Sequence, residues 1–279
     1  MKLPFARLSA PLPLLLLLSS SASVAVFAQD ASIIPTNKIL VVAREYTKPG
    51  RDHSAHEKTE AAFVSASAAS KVASHYYAVA SLSGPQRALF FYSYPSFAAW
   101  EAENKAIGGD ATLTTALDAA NVADGDLLSS TDESVWVLRD DMSLNPGFRV
   151  GARYEDITQF RVKPGHDKGW EDLMKLVIAG YKKGIPEAHW GAYQEAYGTP
   201  GDGFIFITTI KSGSDIDSMF ASGKRFEAAM GEDGMKQLEA LEALCVESET
   251  SNLFEIDPKM SYPTDAFVKA DPDFWKPKQ

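Results

Sequence analysis

The chain has 279 residues, with 27 Lys and Arg against 37 Asp and Glu, a formal charge of −10, and one cysteine, Cys245. An acidic balance of this size disfavours nucleic acid and anionic membrane surfaces as partners, because neutralising phosphate requires clustered Lys and Arg. A single cysteine excludes an intramolecular disulfide, and a chain of this length can rely on its own core.

In chain order, Lys2 and Arg7 precede an apolar stretch from Pro11 to Leu18 and then Val26-Phe27-Ala28. A basic start, a short apolar run and small residues before a cut define an export signal over 1–28. The run is shorter than the roughly 20 apolar residues a spanning helix needs. The mature chain is therefore expected in the periplasm or outside the cell, with no membrane segment.

Ile39 to Tyr46 reads as a strand, followed by the turn Lys48-Pro49-Gly50-Arg51-Asp52 and a helical pattern from His53 to Ala69. His75-Tyr76 opens an alternating aromatic segment. Ser83-Gly84-Pro85 turns it into a second strand around Ala88 to Tyr92. A helical region from Ser96 to Ala120, punctuated by Gly108-Gly109, leads to a strand at Ser134 to Leu138.

The same order then recurs. Arg153 to Arg161, Lys163-Pro164-Gly165-His166-Asp167 and a helix from Lys168 to Lys183 answer the first three pieces, the two turns lying 115 residues apart. His189-Trp190, the turn Gly198-Thr199-Pro200, the strand Gly203 to Ile207, the helix Ser214 to Val246 with Gly231 and Gly234, and the strand Ser251 to Ile256 answer the rest. Pro presets φ and Gly reaches positive φ, so Pro-Gly makes a sharp turn in both halves. Asp52 and Asp167 stand where a helix N-cap belongs.

Each half reads β-α-β-β-α-β, the ferredoxin-like order. The chain is thus read as a 1–28 signal, α+β modules at 36–145 and 150–258, and a tail at 259–279. With Pro263, Pro272 and Pro277 among Tyr262, Phe267, Phe274 and Trp275, the tail is expected to run extended with its aromatics as anchors.

With its matched turns and duplicated order, the sequence resembles the dimeric α+β barrel superfamily, which includes antibiotic-biosynthesis-monooxygenase, stress-responsive A/B barrel and NIPSNAP-like proteins. The resemblance implies that the two tandem modules pair their sheets face to face within one chain. It implies no single activity, because fold does not dictate function. The strands carry apolar and aromatic residues on both parities, Tyr77 and Val79 on one and Tyr76 and Ala78 on the other, so both faces need cover.

His75 and His189 occupy equivalent positions at the start of the second strand of each module and are the candidate acid-base residues. A structural role, with a ring nitrogen on a backbone carbonyl, is the alternative. Arg44 and Tyr46 align with Gln159 and Arg161 on one parity of the first strand. Together with Tyr77, Tyr92 and Tyr193, the residues Arg44, Tyr46 and Arg161 are the candidate ligand-lining set.

His53, His56, Glu57 and Glu60 share one face of the first helix at i, i+3, i+4 and i+7. Imidazoles and carboxylates so spaced can ligate a divalent metal. The second module offers Lys168, Glu171, Asp172 and Lys175 there, which suit ion pairing on a solvated face, and no Cys cluster or His-Glu-x-x-His motif is present. A polar outer face is the reading adopted, with no metal and no cofactor expected. Any site is expected to be asymmetric and in the first half.

Function is expected to be the binding of a small apolar or aromatic ligand in the barrel, by a monomer or homodimer. One alternative is a cofactor-independent monooxygenase-like enzyme, in which a His base forms a substrate anion that reacts with dioxygen and Arg44 stabilises the charge. Another is haem binding through a histidine, as in some barrel relatives.

Overall fold

The computed structural model describes residues 32–51, 53–70, 75–198 and 203–276. The export signal expected at 1–28 and the expected cap Asp52 lie outside them. The first half runs β1 (Ile33–Ile34), β2 (Ile39–Thr47), α1 (His53–Ala69), β3 (Tyr76–Ser81), β4 (Arg87–Tyr94), α2 (Phe97–Gly109), α3 (Ala111–Gly125) and β5 (Leu128–Leu138). The second runs β6 (Phe148–Arg149), β7 (Tyr154–Val162), α4 (Asp167–Gly184), β8 (Gly191–Tyr197), β9 (Gly203–Ile210), α5 (Gly213–Cys245) and β10 (Val246–Tyr262), then α6 (Asp265–Ala270) and α7 (Pro272–Trp275).

Eight strands close a barrel in the order β10-β3-β4-β2-β5-β8-β9-β7, every neighbour antiparallel. The seams between halves are β5 on β8, with Leu138 opposite Tyr193, and β10 on β3, with Ile256 opposite Val79. Alternate residues of a strand face opposite sides. One parity from all eight strands, including Val42, Val79, Phe91, Trp136, Ile157, Tyr193, Ile205 and Phe254, makes a single buried cluster inside the barrel. The other parity meets α4 and α5 in the second half, through Phe204, Phe206, Trp170, Leu173 and Leu238, and the helices α1 to α3 in the first. Cys245 is buried in the α4–α5 layer, as its apolar surroundings in sequence suggest.

The two Pro-Gly turns are built alike. Gly50 and Gly165 have φ of 83° and 80°, and Arg51 and His166 donate backbone N–H to Lys48 O and Lys163 O at 3.1 and 3.0 Å. In each, the lysine N–H reaches back to the last helical layer, Lys48 to Leu127 O and Lys163 to Cys245 O, both at 2.8 Å. The caps differ from expectation. His166 is the N-cap of α4 and makes no side-chain cap bond, while Asp167 is the first helical residue, where its carboxylate still favours the positive helix end. Between α2 and α3, Asp110 is the capping residue, its Oδ1 accepting from Thr112 and Leu113 N–H at 3.0 Å. In α5 the break falls at Gly231, with φ 69° and ψ 175°, and Gly234 stays helical.

The tail is not extended. β10 continues to Tyr262 through a register shift after Asp257, where Pro258 lacks the ladder N–H, and α6 and α7 then fold over one end of the barrel. Pro272 sits at the start of α7, where a missing N–H costs nothing. Phe267, Phe274 and the buried Trp275 pack on Phe148 and Tyr77, and Arg153 pairs with Asp271 at 2.8 Å while stacking on Phe274. Pro263 follows the end of β10 and Pro272 opens α7, so neither holds the tail straight.

Gly50 and Gly165 have open space where a Cβ would stand, so a substitution there tests backbone conformation alone. Gly50→Ala and Gly165→Ala should each lower unfolding free energy by about 1 kcal/mol, additively, because only φ > 0 is penalised. Gly223→Ala, on an open helical site, should raise it by up to about 1 kcal/mol. Urea denaturation of the three variants reads both signs.

Candidate functional site

The barrel interior is occupied by its own side chains. Tyr77 and Tyr193 belong to the packed interior cluster, and Tyr77 Oη donates to Glu155 Oε1 at 2.9 Å. Glu155 is fully buried, no Lys or Arg among the described residues pairs with it, and burial pushes its carboxyl up to about 8. At the mouth opposite α6 and α7, Arg44 pairs through Nε with Asp132 at 2.5 Å and donates to Ser134 Oγ at 2.9 Å. Tyr46 faces the Arg87 guanidinium at 5.9 Å, and Arg161 lies 4.0 Å from Glu247. Arg44, Tyr46, Arg161, Tyr77 and Tyr193 thus share the inward parity expected of them, but they line a packed core and a salt-bridged rim. Tyr92 faces outward.

The two histidines do not converge. His75 Nδ1 lies 3.1 Å from Pro263 O, and its ring stacks on Tyr262 at 4.7 Å. His189 Nε2 lies 2.9 Å from Thr209 O, and burial lowers its pKa, which favours the neutral ring. Each imidazole is held by a backbone carbonyl at a strand entry.

The unusual chemistry lies outside the barrel, under α1. The residues α1 buries are His56, Glu60 and Ser67, all polar, whereas α4 buries Trp170, Leu173, Met174 and Gly180. His56 Nε2 lies 2.9 Å from Glu45 Oε2 on β2, 3.6 Å from Asp124 Oδ1 on α3 and 3.8 Å from Glu60 Oε1. One ligand atom from each of the four lies within 4.8 Å of the others. Asp124 Oδ1 also accepts from Thr59 Oγ1 at 2.5 Å. Burial, then the Glu45 and Asp124 charges, push the Glu60 carboxyl up to about 10.

His53 and Glu57, the other half of the helix face, form a separate group. His53 Nε2 lies 2.8 Å from Asp257 Oδ2 and 3.3 Å from Glu57 Oε1, and Lys259 Nζ donates to Glu57 at 2.8 Å. This group ties α1 to β10 with its charges balanced by Lys259. The four residues on one helix face therefore divide into a buried pair and a half-exposed pair.

Beside the buried group is a cavity of about 250 Å³ between the outer sheet face and α1 to α3. Tyr76, Tyr92, Tyr94, Trp100, Phe63 and Leu113 line it, with Asn104, Asn121 and Glu133 as polar members. Tyr76 Oη is buried and has no hydrogen-bond partner among the described residues, and burial followed by Glu60 and Glu45 raises its pKa well above the ordinary phenol value. A second cavity of about 210 Å³ is lined by Thr47, His53, His56, Gln86, Arg87 and Glu255 among others.

Glu45, Asp124 and Trp100 were not singled out in the sequence, although two of them carry a signal. Glu45 continues the outward parity of Ile39, Val41 and Ala43 on β2, and Asp124 continues the stripe Leu113, Leu117 and Ala120 on α3. A carboxylate at the end of an apolar stripe is the mark that both share.

No family model matches the chain, and no curated protein matches it in sequence. Among solved structures, an anthrone oxidase-like protein superposes with a TM-score of 0.53 at 14% identity, over 81% of this chain and 93% of that one. The fold is that of the dimeric α+β barrels. A dye-decolorizing protein from V. cholerae (TM-score 0.47, 8% identity, 82% of this chain and 97% of that one) has a lower score. So does a chlorite dismutase variant from Candidatus Nitrospira defluvii in complex with cyanide (0.44, 9%, 83% and 94%). At these identities the likeness is one of fold, and no site residue passes across it.

Glu155 gives this barrel a pH signature. Its carboxyl ionises near 4.5 when solvated and near 8 when folded, so unfolding releases a proton between those values. Stability from this group is present below pH 4.5 and is lost as pH rises through about 8, by on the order of a few kcal/mol. Glu155→Gln should flatten the fall in urea midpoint between about pH 5 and 8. An equal fall in both proteins would assign the slope to other groups.

Proposed function

We propose that this protein is an exported barrel of two tandem ferredoxin-like modules that binds a small aromatic ligand outside the barrel, in the cavity under α1, α2 and α3. The observation that carries the ligand reading is a packed interior beside an aromatic-lined outer cavity. That cavity, at about 250 Å³, is smaller than the usual range for drug-sized ligands, so it suits one or two rings. Tyr76 Oη, without a protein partner, and the Asn104 and Asn121 amides favour a ring bearing a hydroxyl or carbonyl oxygen.

The tandem reading is supported by the strand order, which is second-third-first-fourth in each half, and by the matching bonds around Lys48 and Lys163. Because the barrel closes within one chain, no second copy is needed to complete it. Export is supported by the pattern of residues 1–28 alone, and no described helix is long and apolar enough to cross a membrane. Oxygenation with His75 or His189 as base, and haem binding through either, draw no support from the geometry. Both rings are engaged on carbonyls and line neither cavity described above.

With 1-naphthol as the probe, calorimetry should detect binding to the full mature chain. Trp100→Ala and Tyr92→Ala should each weaken it about tenfold or more, a loss of at least about 1.4 kcal/mol. His75→Ala and His189→Ala should leave it unchanged. Weakening in the histidine variants with full binding in Trp100→Ala would return the site to the barrel rim.

A further inference from the structure

We propose that Glu45, His56, Glu60 and Asp124 form a binding site for one divalent transition-metal cation of the zinc or manganese type. The proposal does not rest on the ligand reading, since the cavity and the four-residue group are lined by different side chains apart from the neighbouring Tyr76.

The first argument is charge. Three carboxylates converge on one imidazole, and among the described residues no Lys or Arg nitrogen lies within ion-pair distance of any of them. The group around His53 shows what a satisfied cluster looks like in the same helix. There Lys259 neutralises Glu57, and Asp257 Oδ1 accepts from the Lys259 and Met260 N–H groups at 2.8 and 3.2 Å.

The second, independent argument is hydrogen bonding. Glu60 and Asp124 are 3% and 2% exposed, yet Glu60 Oε1 and Asp124 Oδ2 have no hydrogen-bond partner among the described residues. Buried carboxylate oxygens are normally bonded, because leaving one bare forfeits its hydration with no return. A cation supplies the missing partner to both oxygens and to the excess charge at once.

The geometry suits one ion. Oxygens and nitrogens at about 2.0–2.2 Å from a zinc ion lie at most about 4.4 Å from each other. The four ligand atoms lie within 4.8 Å of one another, with the three carboxylate oxygens 2.9 to 3.8 Å from His56 Nε2, so at most a small inward shift of the side chains is needed. Imidazole nitrogen favours zinc, manganese or iron over magnesium and calcium, which prefer all-oxygen sets. Entry is available through the cavity that His56 shares with His53, whose side chain is 46% exposed. The ligands come from β2, α1 and α3, so the ion would cross-link the two helices to the sheet.

The experiment uses the full mature chain, stripped with a chelator and then titrated with Zn²⁺, Mn²⁺, Mg²⁺ and Ca²⁺. The readouts are metal content after gel filtration and thermal unfolding. The expected result is one zinc or manganese per chain, with a raised Tm that magnesium and calcium do not reproduce. Glu60→Gln and Asp124→Asn should each weaken binding about a hundredfold or more, while His53→Ala and Trp100→Ala leave it unchanged.

A further signature survives if His56→Ala fails to fold. Metal-free Glu60→Gln should fold and melt close to metal-free wild type, because a neutral amide of the same shape replaces the buried carboxyl, and should gain no Tm on adding zinc. Two results would overturn the proposal. One is a stripped protein that takes up neither zinc nor manganese in stoichiometric amount. The other is stoichiometric uptake that the Glu60→Gln/Asp124→Asn double variant retains at wild-type affinity. Naphthol binding by wild type in the first case would leave the ligand reading standing by itself.

Discussion

The structure depends on the two seams at which the halves meet, β5 on β8 and β10 on β3. A four-stranded sheet with helices on one side leaves an apolar face in water, and each half carries such a face. Pairing edge to edge closes the eight-stranded sheet, removes the free edges of those strands and buries both faces in one operation. Burial returns about 25 cal/mol per Å² of apolar surface, so faces built from Val42, Phe91, Trp136, Tyr193, Ile205 and Phe254 supply a large driving force. The tail then seals one end with Phe267, Phe274 and Trp275, and the Arg44–Asp132 pair stands at the other.

Closure of this kind has a consequence for function. Residues large enough to bury both faces also fill the space between them, so the barrel becomes a core. The aromatic-lined cavity lies instead in the layer between the sheet and its helices. There the halves differ sharply. Under α4 the layer is Trp170, Leu173 and Met174 packed on Phe204 and Phe206, a satisfied hydrophobic contact. Under α1 the corresponding layer holds His56, Glu60 and Ser67, with Glu45 and Asp124 facing them. Burying three carboxylates where the layer under α4 buries aromatics costs stability, and such departures from the packing rules concentrate at functional sites.

Each half breaks its long helical region once, between α2 and α3 at Asp110 and within α5 at Gly231, and the two breaks differ in what they leave beneath them. Asp110 caps α3 and redirects the chain, which carries Asp124 to His56 and leaves room between Trp100, Leu113 and the sheet for the aromatic cavity. Gly231 bends α5 without opening such a space, since Phe226 and Met230 pack against Tyr181 and Gly180.

Much of this was legible in the amino-acid order alone. Strand, Pro-Gly turn, helix and hairpin are specified within a few residues of one another, through φ restriction, alternation and apolar periodicity, so the element order of each half could be read locally. The helix face of His53, His56, Glu57 and Glu60 was legible for the same reason, as a spacing within one helix. What the helix faces was not. Glu45 comes from the strand just before the helix and Asp124 from a helix much further along the chain, and only the tertiary fold sets their carboxylates around His56 while sending His53 to Asp257 on β10. Whether a barrel is hollow or full depends on the summed volumes of side chains from all eight strands, and the tail's path depends on the open end it covers. Local sequence determined the pieces because they are governed by neighbouring residues; the position of the site was decided by packing across the whole barrel.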